Sequence, residues 1–245
     1  GVDAVWISPC FVSPMKDFGY DVADYRAVDP AFGTNEDFDE LLEKAHSLGL
    51  KIMIDMVLAH CSDQHPWFIE SRKDRTNLKA DWFYWLDPKD DGTEPNNWLS
   101  FFGGRTWTWD TNRQQYYFHN FLSEQPNLNL SNPSVMDALM DICRFWLDKG
   151  VDGFRLDAIH TAKVDNNWAD NKPRTRKTGV RPEREFDYQS QDSAQLNQPS
   201  IQKLSENLRK LADEYGDRFL MGELGGDNGA DRKSTRLNSS HDQIS

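Results

Sequence analysis

Gly150-Val-Asp-Gly-Phe-Arg-Leu-Asp-Ala-Ile-His160 is the stretch on which the reading of the whole chain turns. A helix-stopping glycine leads into a short apolar strand that carries Arg155 and Asp157 two residues apart. Alternate strand residues share a face, so this guanidinium and this carboxylate point the same way. An arginine beside a carboxylate holds it ionised and fixes its aim. An aimed carboxylate at the tip of an apolar strand suits chemistry, or a structural ion pair inside a barrel, and both readings stand on these residues alone.

Upstream, Asn132-Pro133 supply the N-cap and first helical position of a helix whose buried stripe is Val135, Leu139, Ile142 and Trp146, with Gly150 ending it. Downstream, Asp165 to Pro199 is polar and predicts a long loop. A helix from about Ser200 to Tyr215 follows, with Ile201, Leu204, Leu208 and Leu211 on one side, then a strand over Arg218–Glu223. Near the start, Ala4 to Ile7 is a compact apolar strand and Cys10 to Phe32 is irregular. Thr34-Asn-Glu-Asp37 is a capping box, and Phe38, Leu41, Leu42, Ala45 and Leu48 follow at helical spacing up to Gly49. Lys51-Ile-Met-Ile-Asp-Met-Val57 is a second buried strand. Strands alternating with helices imply a parallel sheet.

Between His60 and Leu130 regularity stops for about seventy residues, too long for an ordinary loop. This segment holds six of the nine tryptophans, and Trp107-Thr-Trp-Asp110 and Gln115–Phe121 flank a polar turn as a hairpin would. It reads as an inserted subdomain, because linkers are not this aromatic. Each strand ends in polar groups: Asp55 and His60, Arg155 and Asp157, Glu223. Reactive groups gather at the carboxyl ends of strands in a (β/α)₈ barrel, and an open doubly wound sheet seldom carries such an insertion. The barrel is the expected fold.

The chain carries 40 acidic and 28 basic residues, a net charge of −12, which disfavours nucleic acid and anionic membrane as partners. No run approaches the roughly eighteen apolar residues of a membrane helix. Cys10, Cys61 and Cys143 form an odd set without pair spacing, so a reducing compartment, the cytoplasm of a bacterium, is expected, with each thiol a small buried apolar group.

Asp157 and Glu223 are the pair that glycoside cleavage requires: one attacks the anomeric carbon and the other, protonated, donates to the leaving oxygen. Arg155 is expected to keep Asp157 ionised, and an apolar strand to raise the pKa of Glu223. Four landmarks then occur in order: Asp55-Met-Val-Leu-Ala-His60, Gln125-Pro-Asn-Leu-Asn129, Gly153-Phe-Arg-Leu-Asp157 and Met221-Gly-Glu223. Together they resemble the signatures of the α-amylase family of glycoside hydrolases, over residues 1 to 227, nearest its α-glucosidase and oligo-1,6-glucosidase branch. The resemblance implies a partial (β/α)₈ barrel of about strands 2–5: barrel parts at 1–59 and 131–230, and an inserted domain B at 60–130, after strand 3. It implies a retaining α-glucosidase, with Asp157 as nucleophile and Glu223 as acid and base. Arg155 would orient Asp157, and His60 would hydrogen-bond the sugar. In Asp17-Phe-Gly-Tyr20 the acid would grip the non-reducing end and the tyrosine would stack on the sugar. From the residues alone, Asp17 reads as a turn former, Tyr20 as a core tyrosine and His60 as a structural histidine; Asp55 reads as support under the site.

Departures from the family pattern shape the expectation. Ala59 stands where many members carry a calcium-ligating Asn, and Asn127 where Asp is usual. No cofactor or metal ligand is assigned; a structural calcium or magnesium would belong to a barrel part preceding Gly1. Ala158 is small, which in this branch accompanies α-1,4 preference, so substrates are short malto-oligosaccharides, other α-glucosides or sucrose. No Asn-His-Asp segment follows Glu223, so a fragment is expected, inactive and aggregation-prone by itself, with 231–245 a non-native tail resembling a translated sequencing adaptor. The rivals are a trehalose or isomaltulose synthase type, a non-catalytic transporter heavy chain, and a sugar-binding module.

Overall fold

The computed structural model describes residues 1–172, 194–196, 198 and 201–224. Most of the expected loop over 165–199, and the tail 231–245, lie outside the described residues. Four strands form one parallel sheet in the order β1 (Ala4–Ile7), β4 (Lys51–Met56), β8 (Gly153–Leu156) and β9 (Phe219–Gly222). Helix α1 (Asn35–Ser47) precedes β4, α3 (Pro133–Asp148) precedes β8 and α4 (Ile201–Asp213) precedes β9. Strand order follows chain order, without the reversal of a doubly wound sheet, so this is a segment of a (β/α)₈ barrel.

Local chemistry sets the helix ends. Thr34 accepts from the Asp37 backbone N–H while the Asp37 carboxylate accepts from the Thr34 N–H at 2.8 Å, a closed capping box. Asn132 caps α3 and Pro133 opens it. The α3 stripe of Val135, Leu139, Ile142 and Trp146 and the α4 stripe of Ile201, Leu204, Leu208 and Leu211 are buried as the periodicity predicts. On α1 the expected stripe is too wide: Phe38, Leu42 and Ala45 are buried, but Leu41 and Leu48 are exposed. Leu48 is the C-cap residue and has left the helical face.

Several elements escaped the sequence. The stretch expected to be irregular contains an antiparallel ribbon of β2 (Phe11–Val12) and β3 (Asp24–Val28). The aromatic segment contains a short helix α2 (Pro66–Ser71), capped by the His65 side chain. Its expected hairpin is β6 (Trp107–Asp110) paired with β7 (Gln115–Phe118), and β5 (Trp85–Leu86) joins the other side of β7. Phe68, Trp82, Phe83, Tyr117 and Leu128 share the core of the barrel helices, while Tyr84, Trp98, Trp107 and Phe118 build a second, smaller core. All three cysteines are buried free thiols.

Candidate active site

Strand register brings the site together. Asp55 lies opposite Arg155, and Arg155 opposite Met221. The ladder continues past the strand ends: the Asp157 N–H donates to Met56 O at 3.1 Å and the Glu223 N–H to Leu156 O at 2.9 Å. Two residues beyond Arg155 and Met221, Asp157 and Glu223 therefore occupy the same rung and face of neighbouring strands. Such strands are about 4.8 Å apart.

Arg155 holds three carboxylates at once. Its Nη1 lies 2.7 Å from Asp157 Oδ1 and 2.8 Å from Asp55 Oδ2, and its Nη2 lies 2.8 Å from Glu223 Oε2. Its guanidinium also sits 5.0 Å from the centroid of the Trp6 ring, a cation–π contact on the same face. The expectation that Arg155 keeps Asp157 ionised while an apolar strand protonates Glu223 needs correction. Asp157 is pushed up to about 7, first by burial and then by the charge of Asp55, with Arg155 opposing. One cation shared among three acids cannot neutralise them all. Glu223 is the open member, its side chain 46% exposed, so the apolar surroundings expected of it are not found among the described residues. The Ala158 backbone N–H aims the Glu223 carboxylate at 2.9 Å. Ala158 does so from a left-handed conformation at φ 39°, uncommon outside glycine.

A second set of groups adjoins the first through Tyr20. The Tyr20 hydroxyl donates to Asp55 Oδ2 at 3.2 Å and accepts from Arg155 Nη1 at 3.4 Å. Asp55 is fully buried and supports the site, as expected. Asp17 is half-buried, and burial raises its pKa against the opposing hydrogen bond from Gln125. The fully buried carboxylate of Asp21 accepts from the Lys16 and Asp17 N–H groups and the Ser13 hydroxyl, which fixes the loop beneath Asp17. Within that loop Gly19 adopts φ +99°, and a Cβ there would lie 2.9 Å from the Pro9 carbonyl oxygen.

His60 is 1% exposed, and burial lowers its pKa to about 4. Its backbone carbonyl accepts from the Tyr25 hydroxyl at 2.7 Å. Phe121 packs against its ring at 5.2 Å and stacks on Phe101 at 5.3 Å. Gln125 bridges Asp17 and His60. These aromatics, Asp21 and the contacts of Gln125 were not found from sequence; only the QPxLN run offered a signal. His119 is structural, its two ring nitrogens meeting Phe121 O and Thr108 Oγ1.

Two carboxylates on one rung of a barrel segment, an arginine between them and an aromatic insertion after the preceding strand define a site of the α-amylase class. The chain belongs to that family: the alpha-amylase catalytic domain model matches residues 1–242. It is 52% identical over 229 residues to a probable alpha-glucosidase of Rhizobium meliloti (strain 1021), covering 92% of this chain and 41% of that protein. It is 48% identical over 181 residues to an oligo-1,6-glucosidase of Heyndrickxia coagulans, covering 74% of this chain and 33% of that one. Among solved structures, the alpha-glucosyl transfer enzyme XgtA superposes with a TM-score of 0.89 at 53% identity, over 92% of this chain and 43% of its own. The trehalulose synthase MutB from Pseudomonas mesoacidophila MX-45 superposes with a TM-score of 0.80 at 38% identity, over 91% of this chain and 38% of its own. The chain thus spans about two fifths of the first of these relatives. No described helix is long and apolar enough to cross a membrane.

Proposed function

We propose that the whole protein is a retaining α-glucosidase that releases terminal α-linked glucose from short malto-oligosaccharides or sucrose. The observation that carries this reading is the shared rung of Asp157 and Glu223 on Arg155. Retention needs carboxyl groups about 5 Å apart, close to the spacing of adjacent strands. Asp157 attacks the anomeric carbon while Glu223 gives its proton to the leaving oxygen; Glu223 then takes a proton from the water that hydrolyses the glucosyl–Asp157 ester. Arg155 orients Asp157, Asp17 and Tyr20 bind the non-reducing glucose, and His60 lies against it. Residues 60–130 form domain B between barrel parts 1–59 and 131–230. The small Ala158 favours α-1,4 links. The reaction uses no cofactor, and the three free thiols fit a cytoplasmic setting.

Asp157→Asn and Glu223→Gln in the whole protein should each lower kcat by about 10²–10⁴-fold on maltose. Early release of the β-anomer of glucose would refute retention. The solved structures of a glucosyl transfer enzyme and a trehalulose synthase favour a second reading in which a sugar replaces water as acceptor. The same Asp157 ester would form, and a rearranged disaccharide from sucrose in place of glucose would select it.

A further inference from the structure

We infer that Gln125 is a positioning residue that sets the tautomer of His60 and ties it to Asp17. Its side chain is fully buried, and every hydrogen-bonding group of its amide is engaged. Oε1 accepts from the Leu122 backbone N–H at 3.1 Å. Nε2 donates one hydrogen to Asp17 Oδ2 at 2.9 Å and faces His60 Nε2 at 3.1 Å with the other.

The orientation of an amide is settled by its partners. Here a backbone donor on one end and a carboxylate on the other admit one orientation. The flipped amide would set two oxygens together at Asp17 and two N–H groups together at Leu122. His60 Nε2 therefore receives an N–H, and a ring nitrogen that accepts carries no proton. The imidazole proton resides on Nδ1, which makes no hydrogen bond among the described residues. Burial, which keeps the ring neutral, agrees with this.

The consequence for the site rests on the glucosidase reading. The lone pair of His60 Nε2 is taken up by the Gln125 N–H, so Gln125 holds the His60 ring in place beside the proposed glucose position and fixes its distance from the Asp17 carboxylate. The Asp17 carboxylate, whose remaining lone pairs are open, suits a ligand that donates from hydroxyls, as the non-reducing end of a glucoside does. Recognition at this end depends on an amide from domain B reaching the β2–β3 connection, 108 residues away in sequence.

The direct test is the imidazole ¹⁵N spectrum of the whole protein labelled at histidine, without substrate. His60 should show an unprotonated Nε2 and a protonated Nδ1; a protonated Nε2 overturns the inference whatever the activity. Gln125→Met, similar in length but without donors, should shift the His60 resonances toward a mixture of tautomers. It should also raise KM about 10- to 100-fold with a much smaller change in kcat, the loss expected when buried acceptors lose a donor. Gln125→Glu, which places a third acceptor against Asp17, should be at least as damaging to KM. Unchanged ring shifts and KM in Gln125→Met overturn the positioning role. If Nε2 is unprotonated but no glucoside is cleaved, the inference about Gln125 stands and the proposed activity falls.

Discussion

Replacing the proposed nucleophile should make the fold more stable, and the gain should depend on pH. Asp157 is 8% exposed, and its pKa rises from the ordinary 3.8 to about 7 on folding. A carboxyl raised in the folded state contributes its full stability while protonated in both states, below about 4, and loses it as pH rises through about 7. That displacement corresponds to about 4 kcal/mol. Asparagine copies the protonated acid in shape and carries no charge to desolvate. Arg155 is not stranded by the change, because Asp55 and Glu223 still hold it at 2.8 Å each. Asp157→Asn should therefore match the wild type near pH 4 and exceed it by up to about 4 kcal/mol near pH 8, while lowering kcat by about 10²–10⁴-fold.

Urea denaturation of both proteins across that pH range measures the difference directly, provided the slopes agree. A variant less stable than wild type at pH 8 would refute the reasoning, as would a gain that does not shrink on acidification. Either result would mean that the bond from Arg155 Nη1 to Asp157 outweighs the burial of the charge.

Gly153 on β8 has no room for a side chain: an added Cβ would lie 2.1 Å from the Phe219 carbonyl oxygen on β9. Gly153→Ala should destabilise by about 3 kcal/mol in a urea titration and lower kcat, since β9 must move and Glu223 stands just beyond it. Asn127 Oδ1 accepts from the Asn120 N–H at 2.6 Å while its Nδ2 donates to Ala59 O at 3.2 Å. Asn127→Asp sets a second oxygen against that carbonyl and should lose about 1–3 kcal/mol at neutral pH, recovering in acid as the new carboxyl protonates; a loss independent of pH would exclude this cause.

What could be read in the sequence was local or periodic. The Thr34/Asp37 capping box and the Asn132-Pro133 start lie within one turn of chain, and the α3 and α4 stripes repeat often enough to fix a face. The same periodicity overreached on α1, because spacing names a stripe while neighbouring elements decide its width, and Leu41 is left uncovered. The β2–β3 ribbon was missed for want of pattern, as two residues show no alternation. Of the site, Asp157 and Glu223 were visible as chemistry, but Asp21 and Gln125 were not. A buried polar side chain declares its partners only when a loop 108 residues away folds onto it.

The mistaken division of charge has the same origin. Reading Arg155 and Asp157 as a pair was sound as far as the strand goes, since residues two apart share a face. The register of β4 against β8 then adds Asp55 to that face, and the register of β8 against β9 adds Glu223. Neither register is written in any one strand, yet together they turn one ion pair into one cation among three acids. A simple ion pair would hold the Asp157 carboxyl below the usual carboxylate range and ionised at every working pH. Three acids on one arginine instead push Asp157, the proposed nucleophile, up to about 7, so its ionised, attacking form gains on the protonated one as pH rises through neutrality. The guanidinium thus does more than aim the proposed nucleophile: it lets two carboxylates share a rung that would otherwise hold only one charge.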